Sequence, residues 1–188
     1  MRLFLTLPLS PEVLVALQSV QNQLLRDLGY DHFKLVKPSD FHCTLLSLGD
    51  RNPGQWDGIA GAAATIASDV VPFEIRFSAV SSFPKAGPTR TIICRLSAGS
   101  DAAADIVGIA EPWFTPMGVP KSGGLQPHIT LARVPPEGDG LLVAEYLQQV
   151  RLDIGCMVES LNIFETFLEP TGARHVLRQA FPFRRLDA

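Results

Sequence analysis

Phe41-His42-Cys43-Thr44-Leu45 and Pro127-His128-Ile129-Thr130-Leu131 carry one short pattern twice, His-x-Thr-Leu, close to half the chain apart. Each copy begins a strand-like run. The first extends to Leu48 and is closed by Gly49-Asp50; the second extends to Val134 and is ended by Pro135-Pro136. Each follows a helical stretch and a loop, so the pattern reads as an internal repeat of one β-α-β unit. Residues i and i+2 of a strand share a face. His42 and Thr44 therefore point one way together, and so do His128 and Thr130. Halves packed about a pseudo-twofold axis would bring two imidazoles and two hydroxyls around one cleft.

The rest of the chain supplies the elements of such a repeat. Ser10-Pro11-Glu12 opens a first helix with a hydroxyl cap, a proline where no donor is needed and an acid at the positive end. Val13, Leu17, Val20, Leu24 and Leu28 give it one apolar stripe, and Gly29 fits its C-terminal cap. A second helix is predicted from Trp56 to Ser68. Phe73, Ile75 and Phe77 alternate with polar residues as in a half-buried strand, and Thr91 to Leu96 follows as its hairpin partner. Ser100-Asp101 can cap a third helix toward Trp113, the stretch Thr115 to Gly124 reads as a loop, and Leu141 to Val150 fits a fourth helix. Two strands, Val158 to Leu168 and Arg174 to Phe183, complete the chain. The order β-α-β-α-β-β-α-β-α-β-β predicts an α+β fold with mainly antiparallel sheet.

Composition excludes several classes. With 46% apolar and 19% charged residues, a chain of 188 residues buries a core of its own and is not disordered. Residues 1–188 are expected to form a single domain, two small lobes sharing that core. No apolar run approaches the roughly 20 residues that cross a bilayer, and Met1 to Leu9 reads as a first strand rather than a secretion signal. A net charge of −3 argues against a broad surface for gripping duplex phosphates, while leaving room for a local anion pocket. Cys43, Cys94 and Cys156, odd in number and widely spaced, suggest buried thiols in a reducing cytoplasm rather than disulfides or a zinc site.

Two histidines aimed at one point are what acid–base catalysis needs near neutral pH, because imidazole gives and takes protons there. One can take a proton from an attacking water while the other donates to a leaving oxygen. Thr44 and Thr130 can donate to phosphoryl oxygens, and Arg133 offers a charged fork for the same anion. A phosphodiester hydrolysed without metal fits this set. No carboxylate falls within either motif, and Cys43 points away from His42 in a regular strand, so no metal is expected. His32 is read as a solvated loop residue and His175 as an edge residue entering the last strand.

These residues resemble the 2H phosphoesterase superfamily, marked by paired His-x-Thr/Ser motifs. Met1-Arg2-Leu3-Phe4-Leu5, Pro11-Glu12-Val13, Leu48-Gly49 and Pro127-His128-Ile129-Thr130-Leu131-Ala132-Arg133 narrow the resemblance to the RNA 2′,3′-cyclic phosphodiesterases of the LigT-like group, also called 2′-5′ RNA ligases. The resemblance implies two α+β lobes with antiparallel sheets, and a cleft between them holding both motifs. It implies opening of a 2′,3′-cyclic phosphate on RNA ends or nucleotides to a 2′-phosphomonoester by a cytoplasmic monomer, with no cofactor. His42 and His128 become the acid–base pair, Thr44 and Thr130 the phosphate hydroxyls, and Arg133 the phosphate arginine. His128 is the expected base and His42 the expected acid, although a symmetric site leaves that choice open. A phosphate-binding module with little turnover, or RNA end joining, would use the same residues.

Two positions depart from the pattern. The family more often carries an aromatic where Ser47 stands, and strict alternation sends Ser47 to the face opposite His42. The same alternation sends Arg133 away from His128 unless the strand bends, bulges or ends near Ala132.

Overall fold

The computed structural model describes residues 1–121, 123, 127–170 and 172–185. Ser122 and Gly124, at the end of the expected Thr115 to Gly124 loop, lie outside the described residues. The elements in chain order are β1 (Arg2–Leu7), α1 (Pro11–Leu28), β2 (Lys34–Leu35), β3 (Cys43–Asp50), α2 (Trp56–Ser68), β4 (Phe73–Phe83), β5 (Thr91–Ala98), α3 (Ser100–Phe114), β6 (His128–Arg133), α4 (Gly140–Leu147), β7 (Arg151–Val158), β8 (Ser160–Glu169) and β9 (Gly172–Pro182). A short 3₁₀ turn, Pro38–Asp40, leads into β3.

Two antiparallel sheets result. One has the order β3-β1-β8-β9 and the other β2-β6-β5-β4-β7. The repeat is visible in this order: β1-α1-β3 matches β5-α3-β6, and β8-β9 occupies the place of β4-β7. The helices cross over between the halves. α1 follows β1 but packs on β6 and β7 of the other sheet, while α3 follows β5 and packs on β3 as well. Each sheet thus buries its apolar face partly under a helix from the opposite half. The buried faces merge into one core that includes Leu3, Leu5, Leu17, Ile75, Phe77 and Phe114.

Local chemistry sets the helix ends. The Ser10 side chain accepts from Val13 N–H at 3.4 Å, and Gly29 closes α1 at φ +81°. α3 differs from expectation. It begins at Ser100, and its N-cap is Gly99 at φ +81°, with no side-chain cap bond. A Cβ on Gly99 would lie 2.5 Å from the Glu74 carbonyl oxygen, so the close approach of β4 requires glycine there.

Three further differences from the sequence reading have local causes. β2 has only two residues, too short for any periodicity to register. α4 ends at Leu147 rather than Val150, and the chain turns at once into β7, where exposed Arg151 and Asp153 alternate with half-buried Leu152 and Ile154. The final pair of strands then starts at Ser160. Cys43 and Cys94 are buried, and burial pushes both thiols up to about 12, whereas Cys156 is only half-buried. Among the described residues, no helix is long and apolar enough to cross a membrane.

Candidate active site

β3 and β6 are the strands through which the two sheets meet, and they carry the two motifs. Both have the same irregularity. Along β1 and β3, Thr6 lies opposite Thr44 and Leu5 opposite Leu46, leaving Leu45 as an extra residue. Along β5 and β6, Ile93 lies opposite Thr130 and Ile92 opposite Ala132, leaving Leu131 extra. These are β-bulges at equivalent positions, directly after each threonine. The bulge residue and its successor are buried together, Leu45 with Leu46 and Leu131 with Ala132, where strict alternation would expose one of each pair.

The bulges reset the faces beyond them. Arg133 lies opposite Thr91 on β5, and Thr91, Ile93 and Arg95 alternate onto the face shared with His128 and Thr130. Ser47 is returned in the same way on β3, which corrects the expectation drawn from strict alternation. It lies opposite Phe4 and lines a hollow of about 230 Å³ together with His42, Thr44, Arg2, Thr166 and His175. Ser47 and Arg133 are therefore equivalent positions of the repeat, one neutral and one cationic.

His42 is half-buried at the mouth of β3. Its Nδ1–H donates to the Asp40 carbonyl oxygen at 2.6 Å, which leaves Nε2 as the proton-exchanging atom. Burial holds its proton affinity below the ordinary histidine range. The Asp40 backbone contact works against that shift, and His175 and His128 each add to it by like-charge repulsion. A second hollow of about 230 Å³, lined in part by Thr6, Pro8, Phe41, Asn162 and Phe164, borders the other side of His42. A larger hollow of about 530 Å³ between β4 and α4 contains no histidine.

Several cleft residues could not be placed from sequence. Arg95 lies opposite His128 on β5, with its guanidinium 4.8 Å from the centre of the Phe83 ring. Phe83 in turn packs edge-on to His128 at 5.3 Å. His175 stands on β9, an edge strand of its sheet as expected, but its ring lies 4.7 Å from that of His42. β5 meets β6 only across α3, so no hairpin register brings Arg95 to the second motif, and nothing local marks His175. Near the C-terminus, Arg174 pairs with Glu169, and Arg178 pairs with buried Glu165 while stacking over Trp56. His32 Nδ1 accepts from the Asp139 N–H at 3.3 Å, away from the motifs. Among the described residues, no group of three His, Cys, Asp or Glu side chains is arranged to hold a metal ion.

Known proteins share this fold. A family profile described as LigT like Phosphoesterase matches residues 7–93. The fold is similar to TT0787 of Thermus thermophilus, with a TM-score of 0.77, 26% identity and 98% of each chain covered. It is also similar to E. coli LigT complexed with 3′-AMP, with a TM-score of 0.76, 13% identity and 98% of each chain covered. The MHV ns2 PDE domain matches at a TM-score of 0.55 and 19% identity, covering 95% of this chain and 99% of that one. The sequence match over the first motif and the fold match over nearly the whole length point the same way, toward the LigT-like phosphoesterases.

Proposed function

We propose that the protein hydrolyses 2′,3′-cyclic phosphates at RNA or nucleotide ends to 2′-phosphomonoesters, without a metal, through His42 and His128. The carrying observation is the repeated bulge, which gives each half a histidine, a threonine and a third residue on one face. In the reaction, one imidazole takes a proton from water as its oxygen attacks phosphorus. The bond from phosphorus to the 3′-oxygen breaks, and the other, protonated imidazole donates to that oxygen. One water is consumed, a 3′-hydroxyl and a 2′-phosphomonoester result, and the pair exchanges its proton with solvent before the next turnover.

Thr44 and Thr130 are suited to donate to the equatorial oxygens, and Arg133 to hold their charge. Arg2 and Arg95 lie on the same two faces and make the cleft locally cationic in a chain of net charge −3. The anion this chemistry needs is thereby attracted without a broadly basic surface. E. coli LigT, which shares the fold, forms complexes with 3′-AMP and with phosphate, ligands of the same class.

The test is turnover of a 2′,3′-cyclic mononucleotide in EDTA, with the products separated. The expected product is the 2′-phosphate. His42→Ala and His128→Ala should each lose roughly 10²–10⁴-fold in kcat, the range one acid or base contributes. Unchanged turnover in both variants would overturn the proposal. Tight mononucleotide binding with no product would replace it with a phosphate-binding module.

A further inference from the structure

A third imidazole lies against the first motif. The ring of His175, on β9, stands nearly perpendicular to that of His42, with 4.7 Å between centroids and 74° between planes. It is held from three sides. Its Nδ1 is hydrogen-bonded to Thr166 Oγ1 on β8 at 3.1 Å. Its backbone N–H donates to Asp40 Oδ1 at 3.4 Å. Phe4 on β1 packs edge-on at 5.2 Å, and the same Phe4 ring lies 4.9 Å from His42.

Asp40 closes the circuit. Its carboxylate meets the backbone of His175 while its carbonyl oxygen takes the Nδ1–H of His42. His42 is thus fixed at Nδ1 by one bond and flanked by two rings, which limits rotation of an imidazole whose Nε2 must face the cleft. The charged and titratable groups around the two rings are Asp40 on the turn, Arg2 on β1 and His128 across the cleft. α2 packs on the other face of β9, where Glu165 and Arg178 pair with each other.

We infer that His175 is a positioning residue for His42 in the reaction proposed above: it fixes the tilt of the ring and, when itself protonated, opposes a proton on its neighbour. The inference rests on that proposed function for its catalytic consequence, but its physical content is separate. Burial keeps the proton affinity of both rings below the ordinary range, and the Asp40 carboxylate works against this at each. A charge on either ring at this separation is therefore felt by the other.

His175→Phe keeps a ring beside His42 and removes the titrating group; His175→Ala removes both. The first readout is NMR titration of the His42 Cε1–H, which needs no activity. Its midpoint should move upward in His175→Phe and further upward in His175→Ala, where burial is also relieved. The second is the pH profile of kcat/KM on the cyclic mononucleotide. One limb should move upward, with about a tenfold loss that falls on kcat rather than KM, a fraction of what a whole general acid or base supplies. Movement of the acid limb would make His42 the base, and movement of the alkaline limb would make it the acid. An unmoved His42 midpoint with both limbs in place, in variants that retain the wild-type circular dichroism spectrum, would overturn the inference. Absence of turnover in the wild-type protein would instead overturn the proposed function, and the NMR midpoint would still decide the coupling.

Discussion

Gln21 is the residue whose replacement most directly probes how the second bulge is held. It lies on α1 and is only 2% exposed. Its Nε2 donates to the carbonyl oxygens of Val36 at 2.7 Å and of Leu131 at 2.8 Å. Leu131 is the extra residue that returns Arg133 to the face of His128, and its carbonyl also accepts from the Val36 N–H at 2.9 Å. Gln21→Met keeps the length of the side chain and removes both donors. A buried carbonyl left without a partner costs ~1–3 kcal/mol, and the second lost bond a further ~0.5–1.5 kcal/mol. The apolar thioether returns ~1 kcal/mol through burial. The expected net loss is about 2 kcal/mol. In urea, with a slope of ~1–3 kcal/mol/M, the midpoint should fall by about 1 M at unchanged slope. In a thermal scan a chain of this size should melt ~4–8 °C lower. Turnover should fall as well, because the face on which Arg133 stands depends on the bulge. A urea midpoint within ~0.2 M of wild type would refute the claim that these two bonds hold the bulge in place.

Three further outcomes are expected. His42 and His175 both resist protonation when folded, chiefly through burial, so below the ordinary value of 6.5 the unfolded chain binds more protons than the native one. Stability should be complete above that pH and decline as pH falls beneath it, giving a lower Tm at pH 5 than at pH 7.5; a gap that is the same in a His42→Asn, His175→Asn double variant would assign it to other groups. Burial raises the Cys43 and Cys94 thiols to about 12, so an aromatic disulfide reagent should modify Cys156 first in the native protein, and modification of Cys43 at a comparable rate would contradict its placement in the core. Because Ser47 is exposed and lines the hollow beside His42, Ser47→Trp should cut turnover by about tenfold or more while changing stability by only ~0.5 kcal/mol; a large stability loss with intact turnover would return Ser47 to the core face.

The repeat was legible because the same His-x-Thr-Leu frame recurs at the start of two strands, and α1 was legible because Ser10, Pro11 and Gly29 mark its ends with specific chemistry. The amphipathic stripe of α1 showed that one face is buried but not that it is buried on the opposite half's sheet, since a stripe has no address. The bulges left a local sign. Leu45-Leu46 and Leu131-Ala132 are consecutive apolar pairs in strands whose other positions alternate, and such a pair marks an extra residue. Applying strict period two past that sign put Ser47 on the wrong face and left Arg133 dependent on an assumed bend. Arg95, Phe83 and His175 reach the motifs only through register and through the meeting of β9 with the Pro38–Asp40 turn, contacts spanning long stretches of chain that no window of sequence contains.

The claim beneath all of this is that His42 and His128 act on one bound anion. Titration of the wild-type protein with inorganic phosphate, followed at the Cε1–H resonances of both imidazoles, tests it most directly. Both resonances should shift together along a single saturation curve with one Kd, and both shifts should be abolished when Thr44 and Thr130 are replaced by valine. Saturation of the two histidines at different phosphate concentrations, or a response from only one of them, would contradict the account.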